Sequence, residues 1–103
     1  MEFKANEKKA IAKVLTTIAD ADNVRQSEEE VLLDQIAKML NMSNLEVRLA
    51  ADIKFEDALN SIKEMNVAKK NIVKILVDEM VMADDTQHPY ERQYVFAINN
   101  VLN

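Results

Sequence analysis

The chain has 103 residues, a formal net charge of −5, one proline and neither glycine nor cysteine. This length predicts one domain with a small core, and the lack of cysteine excludes disulfides and thiolate metal sites. The acidic balance disfavours nucleic acid and anionic membranes as partners. Without glycine, turns that need a positive φ must use Asn or Asp, and Asn23, Asn41 and Asn66 stand at such positions. The composition predicts an all-α fold.

The first two helices are predicted from apolar spacing and capping signals. The first runs from about Asn6 to Ala21 and keeps the i, i+3, i+4, i+7 spacing of one buried face. Ser27 and Glu30 have the spacing of a capping box, which predicts the start of a second helix that ends at Asn41.

The next two predicted helices are shorter. Ser43 and Glu46 form a second capping-box pattern, and the helix that follows is expected to place Leu45, Leu49 and Ala50 inside. A fourth helix is predicted from an apolar stripe formed by Phe55, Ala58, Leu59 and Ile62. Its N-cap is less clear, because Lys54 is a poor cap and Asp52 lies a little early.

The most apolar stretch of the chain runs from Asn71 to Asp85. A segment this apolar must be covered on nearly every side, so we expect it to be the central helix of the domain, with Asn66 as a possible N-cap. It is shorter than the roughly 20 apolar residues of a membrane span, so no direct membrane insertion is expected. Pro89 suits the first turn of a last helix.

The chain contains an internal repeat with an offset of 62 residues. Residues 21–29 (ADNVRQSEE) align without a gap on residues 83–91 (ADDTQHPYE), and apolar positions on both sides agree. The sequence therefore predicts two helix–acidic turn–helix units, about 10–41 and 72–103, in a pseudo-twofold bundle of about six helices. Short helices separate the two units within a single domain, 1–103.

The doubled pattern Ala-Asp-x6-Glu, together with the intervening FEDALNSIKEM, resembles the tellurite-resistance TerB family over roughly residues 5–103. The family usually has glycine after the Asp, where this chain has Asn23 and Asp85. The resemblance implies a small TerB-like helical domain with a role in stress response, and metal binding through Asp22 and Glu29 in one turn and Asp84 and Glu91 in the other.

The charges of the two turns agree with a cation site. Carboxylates at a helix C-terminus are unfavourable by about 0.3–1 kcal/mol each, and several of them crowd each turn. Oxygen ligands suit Ca²⁺, Mg²⁺ or Mn²⁺. Neither turn has the ligand spacing of an EF-hand. Alternatively, Asp22 and Asp84 cap their loops as Asx-turns and the glutamates favour helix starts, with no ligand at all.

Three functions remain after these observations. The first is a metal-binding or stress-response accessory module, and the second is a ligand-free interaction or adaptor domain; both require a protein partner that the sequence does not name. The third, an enzyme, is disfavoured because no nucleophile–base pair and no glycine-rich phosphate loop is present. The start, MEFKANEKKA, has no apolar signal core, so a cytoplasmic location is expected.

Overall fold

In a computed structural model, residues 2–20, 27–82 and 89–103 are described, and all their regular structure is helical. The six helices are α1 (Ala5–Ala19), α2 (Ser27–Met39), α3 (Asn44–Ala50), α4 (Phe55–Lys63), α5 (Val67–Met82) and α6 (Pro89–Leu102). This confirms the all-α prediction and the expected number of helices. Within these ranges, no helix is both long and apolar enough to cross a membrane.

The centre of the domain is α1. It packs against each of the other five helices, most extensively against α4, and its inner face is fully buried. Ala10 and Ala19 on α1 and Ala58 on α4 belong to the buried core and have almost no exposed surface. Because alanine is small, it lets neighbouring backbones approach closely, so a helix need not be the most apolar one to lie at the centre.

The prediction that the Asn71–Asp85 stretch forms the central helix is therefore wrong. Helix α5 packs on α1, α6 and α2, and one side of it faces solvent. Ile75 is 57% exposed, and Val67 and Met82 are more exposed still. The segment is strongly apolar, as its sequence shows. Apolar composition does not specify, however, how many sides of a helix pack against neighbouring helices.

The capping predictions that fall on described residues are mostly confirmed. The Ser43 hydroxyl accepts from the Glu46 N–H at 3.2 Å, and the Glu46 carboxylate accepts from the Ser43 N–H at 3.0 Å. The Asn66 side chain accepts from the Lys69 N–H at 2.9 Å and starts α5. Asn66 thus serves as an N-cap, without the positive φ also expected there. Asn23, the Asp85 turn and the Ser27 capping box lie outside the described residues and side chains.

Helix α2 ends in a Schellman motif at Asn41, where the sequence predicted a helix end with a positive φ. Asn41 has φ of 59°, and its N–H donates to the Lys38 carbonyl oxygen at 3.0 Å. The Met42 N–H donates to the Ala37 carbonyl oxygen at 2.8 Å, and the Met42 side chain is buried. These two bonds satisfy carbonyl groups that the helix itself leaves without donors.

The left-handed turn gives a matched pair of predictions. Asn41→Ala is expected to lower the free energy of unfolding by about 1–2 kcal/mol, because a Cβ without a polar side chain is disfavoured at positive φ. Asn41→Gly should leave stability within about 0.5 kcal/mol of the parent, since glycine adopts this φ at little cost. Urea titration of both variants checks this, and an equal effect of the two substitutions would contradict it.

Helix α3 corrects one further expectation. Ala50 is buried as predicted, but Leu45 and Leu49 are 65% and 46% exposed. Val47 and Ala50 form the inner side instead, packed toward α1. Apolar residues occur at four of the seven positions of α3, so the sequence does not define a single buried face and only the docking against α1 selects one.

Candidate functional site

The four predicted metal ligands fall where the structure is not described in side-chain detail. Asp22 and Asp84 lie outside the described residues, and Glu29 and Glu91 belong to α2 and α6 but without described side chains. Their proposed coordination therefore remains a prediction. Within the described residues, no three His, Cys, Asp or Glu side chains are grouped to hold a metal ion.

The helices that frame the two acidic turns follow the 62-residue offset. Helix α5 starts at Val67 and α1 at Ala5, while α6 starts at Pro89 and α2 at Ser27. Aligned core positions are also buried in pairs, as in Ile11 with Val73, Leu15 with Val77, Ile18 with Met80 and Ile36 with Ile98. The 62-residue offset found in the acidic turns therefore also relates the helix starts and the buried positions of the two units.

One polar group that the sequence did not single out is buried at the start of α1. Glu7 Oε1 accepts from the Lys69 ammonium at 2.8 Å and from the Lys4 backbone N–H at 2.7 Å. The two charged side chains are only 13% (Lys69) and 10% (Glu7) exposed. The Lys69 ammonium also lies 5.8 Å from the centre of the Phe3 ring, within cation–π distance.

The surroundings of Glu7 favour its ionised form. Burial acts to raise the pKa of this carboxyl, but the hydrogen bonds from Lys69 and from the Lys4 N–H, with the attraction of both lysines, lower it below its ordinary value. Lys4 precedes the first residue of α1, and its side chain has no acceptor, so Glu7 supplies the helix start with its single side-chain cap. The pair joins α1, α5 and the N-terminal segment.

The sequence already contains a feature that predicts contact between Glu7 and Lys69. Glu7 and Lys69 are 62 residues apart, which is the offset of the repeat. They occupy equivalent positions in the first turns of α1 and α5. An opposite-charge pair at equivalent positions of a doubled unit is a candidate contact between the two units, whereas the acidic turns by themselves give no indication of it.

A cavity of about 240 Å³ opens between α1, α2 and α3. Its wall is mostly apolar and includes Leu15, Ile36 and Leu40, whereas charged side chains of Asp34 and Arg48 stand in its lining. This is smaller than the roughly 300–1,000 Å³ of typical small-molecule sites. The lining holds no nucleophile–base pair, so it supplies no recognisable catalytic arrangement.

The outer surface of α3 combines apolar and basic side chains. Leu45, Arg48 and Leu49 are all exposed, and they follow the i, i+3, i+4 spacing of one helix face. On α1, the Lys13 ammonium donates to the Ala51 carbonyl oxygen, at the C-terminus of α3, at 3.0 Å. This surface was not expected from the sequence, because the apolar pattern of α3 predicts both leucines in the core.

Comparisons with known proteins leave the family open. No protein-family model matches the chain, and neither a curated protein nor a solved structure matches it. The resemblance to the TerB family therefore still depends on two sequence features, the doubled acidic pattern and the FEDALNSIKEM segment between its copies.

Proposed function

We propose that the chain is a TerB-like, non-enzymatic accessory module that binds a divalent cation weakly at two equivalent acidic turns. Asp22 and Glu29 would supply carboxylates in one turn, and Asp84 and Glu91 in the other. Carboxylate oxygens without thiolate or clustered imidazole ligands suit Ca²⁺, Mg²⁺ or Mn²⁺. A role in stress response and a cytoplasmic location belong to the same proposal, since both follow from the resemblance.

The Glu7–Lys69 ion pair carries this proposal because it supports equivalence of the two halves. Residues related by a twofold rotation can contact each other only beside the rotation axis. Glu7 and Lys69 are related by the repeat offset and are in contact. Helix α1 also packs on α6, and α5 packs on α2. A twofold rotation that exchanges α1 with α5 and α2 with α6 converts the first of these contacts into the second. These contacts favour a pseudo-twofold domain in which the turns after α1 and α5 correspond.

A calorimetric and thermal titration tests the metal function. With CaCl₂, MgCl₂ or MnCl₂ at ten times Kd, each ion that binds only the folded state adds about 1.4 kcal/mol of stability. We expect at least one of the three to raise Tm, with two ions bound per chain. Asp22→Asn and Asp84→Asn should each remove one of the two ions, since the amide keeps the shape but loses the charge.

The matched control is Asp78→Asn, on the exposed side of α5, which should leave stoichiometry unchanged. Absence of any response to the three cations would exclude the proposed metal function. An unchanged stoichiometry in the Asp22→Asn/Asp84→Asn double variant would exclude these residues as the ligands.

A second candidate function is a ligand-free interaction domain, and the exposed leucines of α3 favour it. Leu45 and Leu49 lie on one face of a helix whose other side is packed on α1. Neighbouring exposed apolar side chains are typical of protein contacts, whereas scattered ones need no explanation. This function is independent of cation binding, because α3 lies between the two repeat units in sequence.

A further inference from the structure

The cavity between α1, α2 and α3 combines an apolar wall with a charged mouth. Its buried apolar side chains are those of Leu15, Ile36, Leu40 and Met42. Glu30 and Asp34 of α2 and Arg48 of α3 also line it, and all three are exposed. Because the apolar lining is buried and the charged lining is exposed, the charges stand where the cavity opens to solvent.

The second repeat unit does not keep the residues that leave this space open. Ala12 on α1 and Ala37 on α2 line the cavity. At the 62-residue offset they align with Lys74 on α5 and Asn99 on α6. The Lys74 ammonium donates to the Asn99 amide oxygen at 3.4 Å, so two long polar side chains bridge the helices where the first unit has two methyl groups. The fold therefore accepts larger side chains at these positions, and alanine at both of them leaves room for a ligand.

The mouth of the cavity presents charges of both signs on different helices. Glu30 and Asp34 are four residues apart on α2, so their carboxylates lie on one face of that helix. Arg48 lies on α3, and among the described side chains it forms no ion pair with Asp34. The Thr16 hydroxyl donates to carbonyl oxygens of its own helix at 2.9 and 3.1 Å, so its oxygen can accept a further hydrogen bond. The cavity thus offers acceptors for an ammonium group and a guanidinium for a carboxylate.

We propose that this cavity binds a free α-amino acid with an apolar side chain. The side chain enters the apolar part of the cavity, the ammonium group binds Asp34 and the Thr16 oxygen, and the carboxylate binds Arg48. The volume of about 240 Å³ agrees with a ligand of this size. At roughly 30 Å³ per water molecule, it has room for about eight non-hydrogen atoms, which is too little for the larger ligands of typical small-molecule sites.

Charge decides between this ligand and its rivals. An apolar amine would bind the carboxylates of α2 but would be repelled by Arg48, and an apolar carboxylate would bind Arg48 but be repelled by Asp34 and Glu30. A neutral apolar molecule would partly desolvate these charges without pairing any of them, which is unfavourable. A zwitterion pairs with both signs at once, because its two charges are held on one carbon atom beside its apolar side chain.

The inference goes beyond the proposed cation function and does not depend on it. The ligand contacts are made by α1, α2 and α3, whereas the proposed cation ligands are Asp22, Glu29, Asp84 and Glu91. Amino-acid binding is also independent of the exposed leucines of α3, because Leu45 and Leu49 are not part of the described cavity lining. Each function can therefore fail without the others.

The test is a methyl-detected NMR titration of the full chain in EDTA, with L-leucine added to about 10 mM, ten times a Kd of about 1 mM. The methyl signals of Leu33 and Met42, which line the cavity, should shift saturably. Leucinamide lacks the carboxylate, N-acetylleucine lacks the ammonium group, and glycine lacks the apolar side chain. We expect each of the three to bind at least about tenfold more weakly than leucine, since each loses one of the three contacts.

Three substitutions separate these contacts. Arg48→Gln should weaken leucine binding about tenfold without weakening leucinamide binding, because leucinamide has no carboxylate to pair with the guanidinium. Asp34→Asn should weaken leucine binding about tenfold without weakening binding of N-acetylleucine. Ala37→Leu places a larger side chain in the cavity and should abolish the leucine-induced shifts. Arg48 and Asp34 are exposed, so their variants keep the folded core even if Ala37→Leu does not.

Asp57→Asn and Arg92→Gln are the matched controls, because they remove exposed charges of α4 and α6 outside the described lining and should leave leucine binding unchanged. A lack of saturable shifts with leucine would overturn the proposal. So would leucinamide binding as tightly as leucine, which would indicate an amine or the N-terminus of a peptide. Equal binding of N-acetylleucine, which would indicate a carboxylate or a peptide C-terminus, would overturn it as well. Because EDTA is present throughout, these results are distinguishable from a failure of cation binding.

Discussion

Replacing Leu15 by alanine is expected to lower the free energy of unfolding by about 2–5 kcal/mol, the largest effect of any single substitution considered for this protein. Leu15 has no exposed surface and lies on α1, which packs against all five other helices. Its truncation leaves a cavity that several helices would have to move together to fill. Since domains of this size have total stabilities of about 5–15 kcal/mol, urea unfolding should show a large decrease in midpoint.

The control for this prediction lies on the more apolar helix. Ile75→Ala on α5 removes a side chain that is 57% exposed, so we expect a cost below about 1 kcal/mol. Together the two variants test which helix is central. If Ile75→Ala were as costly as Leu15→Ala, then α5 would be covered on the side that faces solvent here, and the assignment of α1 as the centre would be wrong.

Lys69→Met is expected to destabilise the protein by about 1.5–3 kcal/mol. The methionine fills a similar volume but leaves the Glu7 carboxylate, of which only a tenth is exposed, without its cationic partner. Complete burial would make the loss larger, at about 3–5 kcal/mol. The substitution also removes the cation that lies over the Phe3 ring, which weakens the attachment of the N-terminal segment.

The effect of Lys69→Met should depend on pH. The pKa of Glu7 is lowered in the folded protein from an ordinary value of 4.5. A lowered folded-state pKa stabilises the protein fully above that ordinary value, and this contribution is lost as pH falls through the lowered pKa. The stability difference between the parent and Lys69→Met should therefore be constant from about pH 6 to 8 and should shrink below about pH 4.

The matched control is Lys63→Met, which removes an exposed lysine at the end of α4 and should cost little. In the double variant Glu7→Gln/Lys69→Met, the loss should be smaller than the sum of the two single losses, because each single variant already breaks the same pair. Strict additivity would show that Glu7 and Lys69 do not stabilise one another in solution.

Much of the fold was accessible from local chemistry. Ser43 with Glu46, Asn66 before α5 and Asn41 after α2 are short-range signals, because each depends on bonds between residues three to five apart. The repeat offset also predicted paired burial across the halves, such as that of Ile36 and Ile98. In contrast, the proposed ligands Asp22 and Asp84 remain predictions, since they lie outside the described residues.

The sequence alone determined that this protein is a helical domain, that α2 ends at Asn41, that Ser43 and Asn66 cap α3 and α5, and which face of α1 is apolar. Only the tertiary structure decided that α1 is central, that Leu45 and Leu49 face outward, and that Glu7 meets Lys69 across 62 residues. Helix ends depend on hydrogen bonds within one turn, which a sequence records directly. The number of neighbours around a helix depends on how closely distant backbones approach, and that is settled when all six helices pack together.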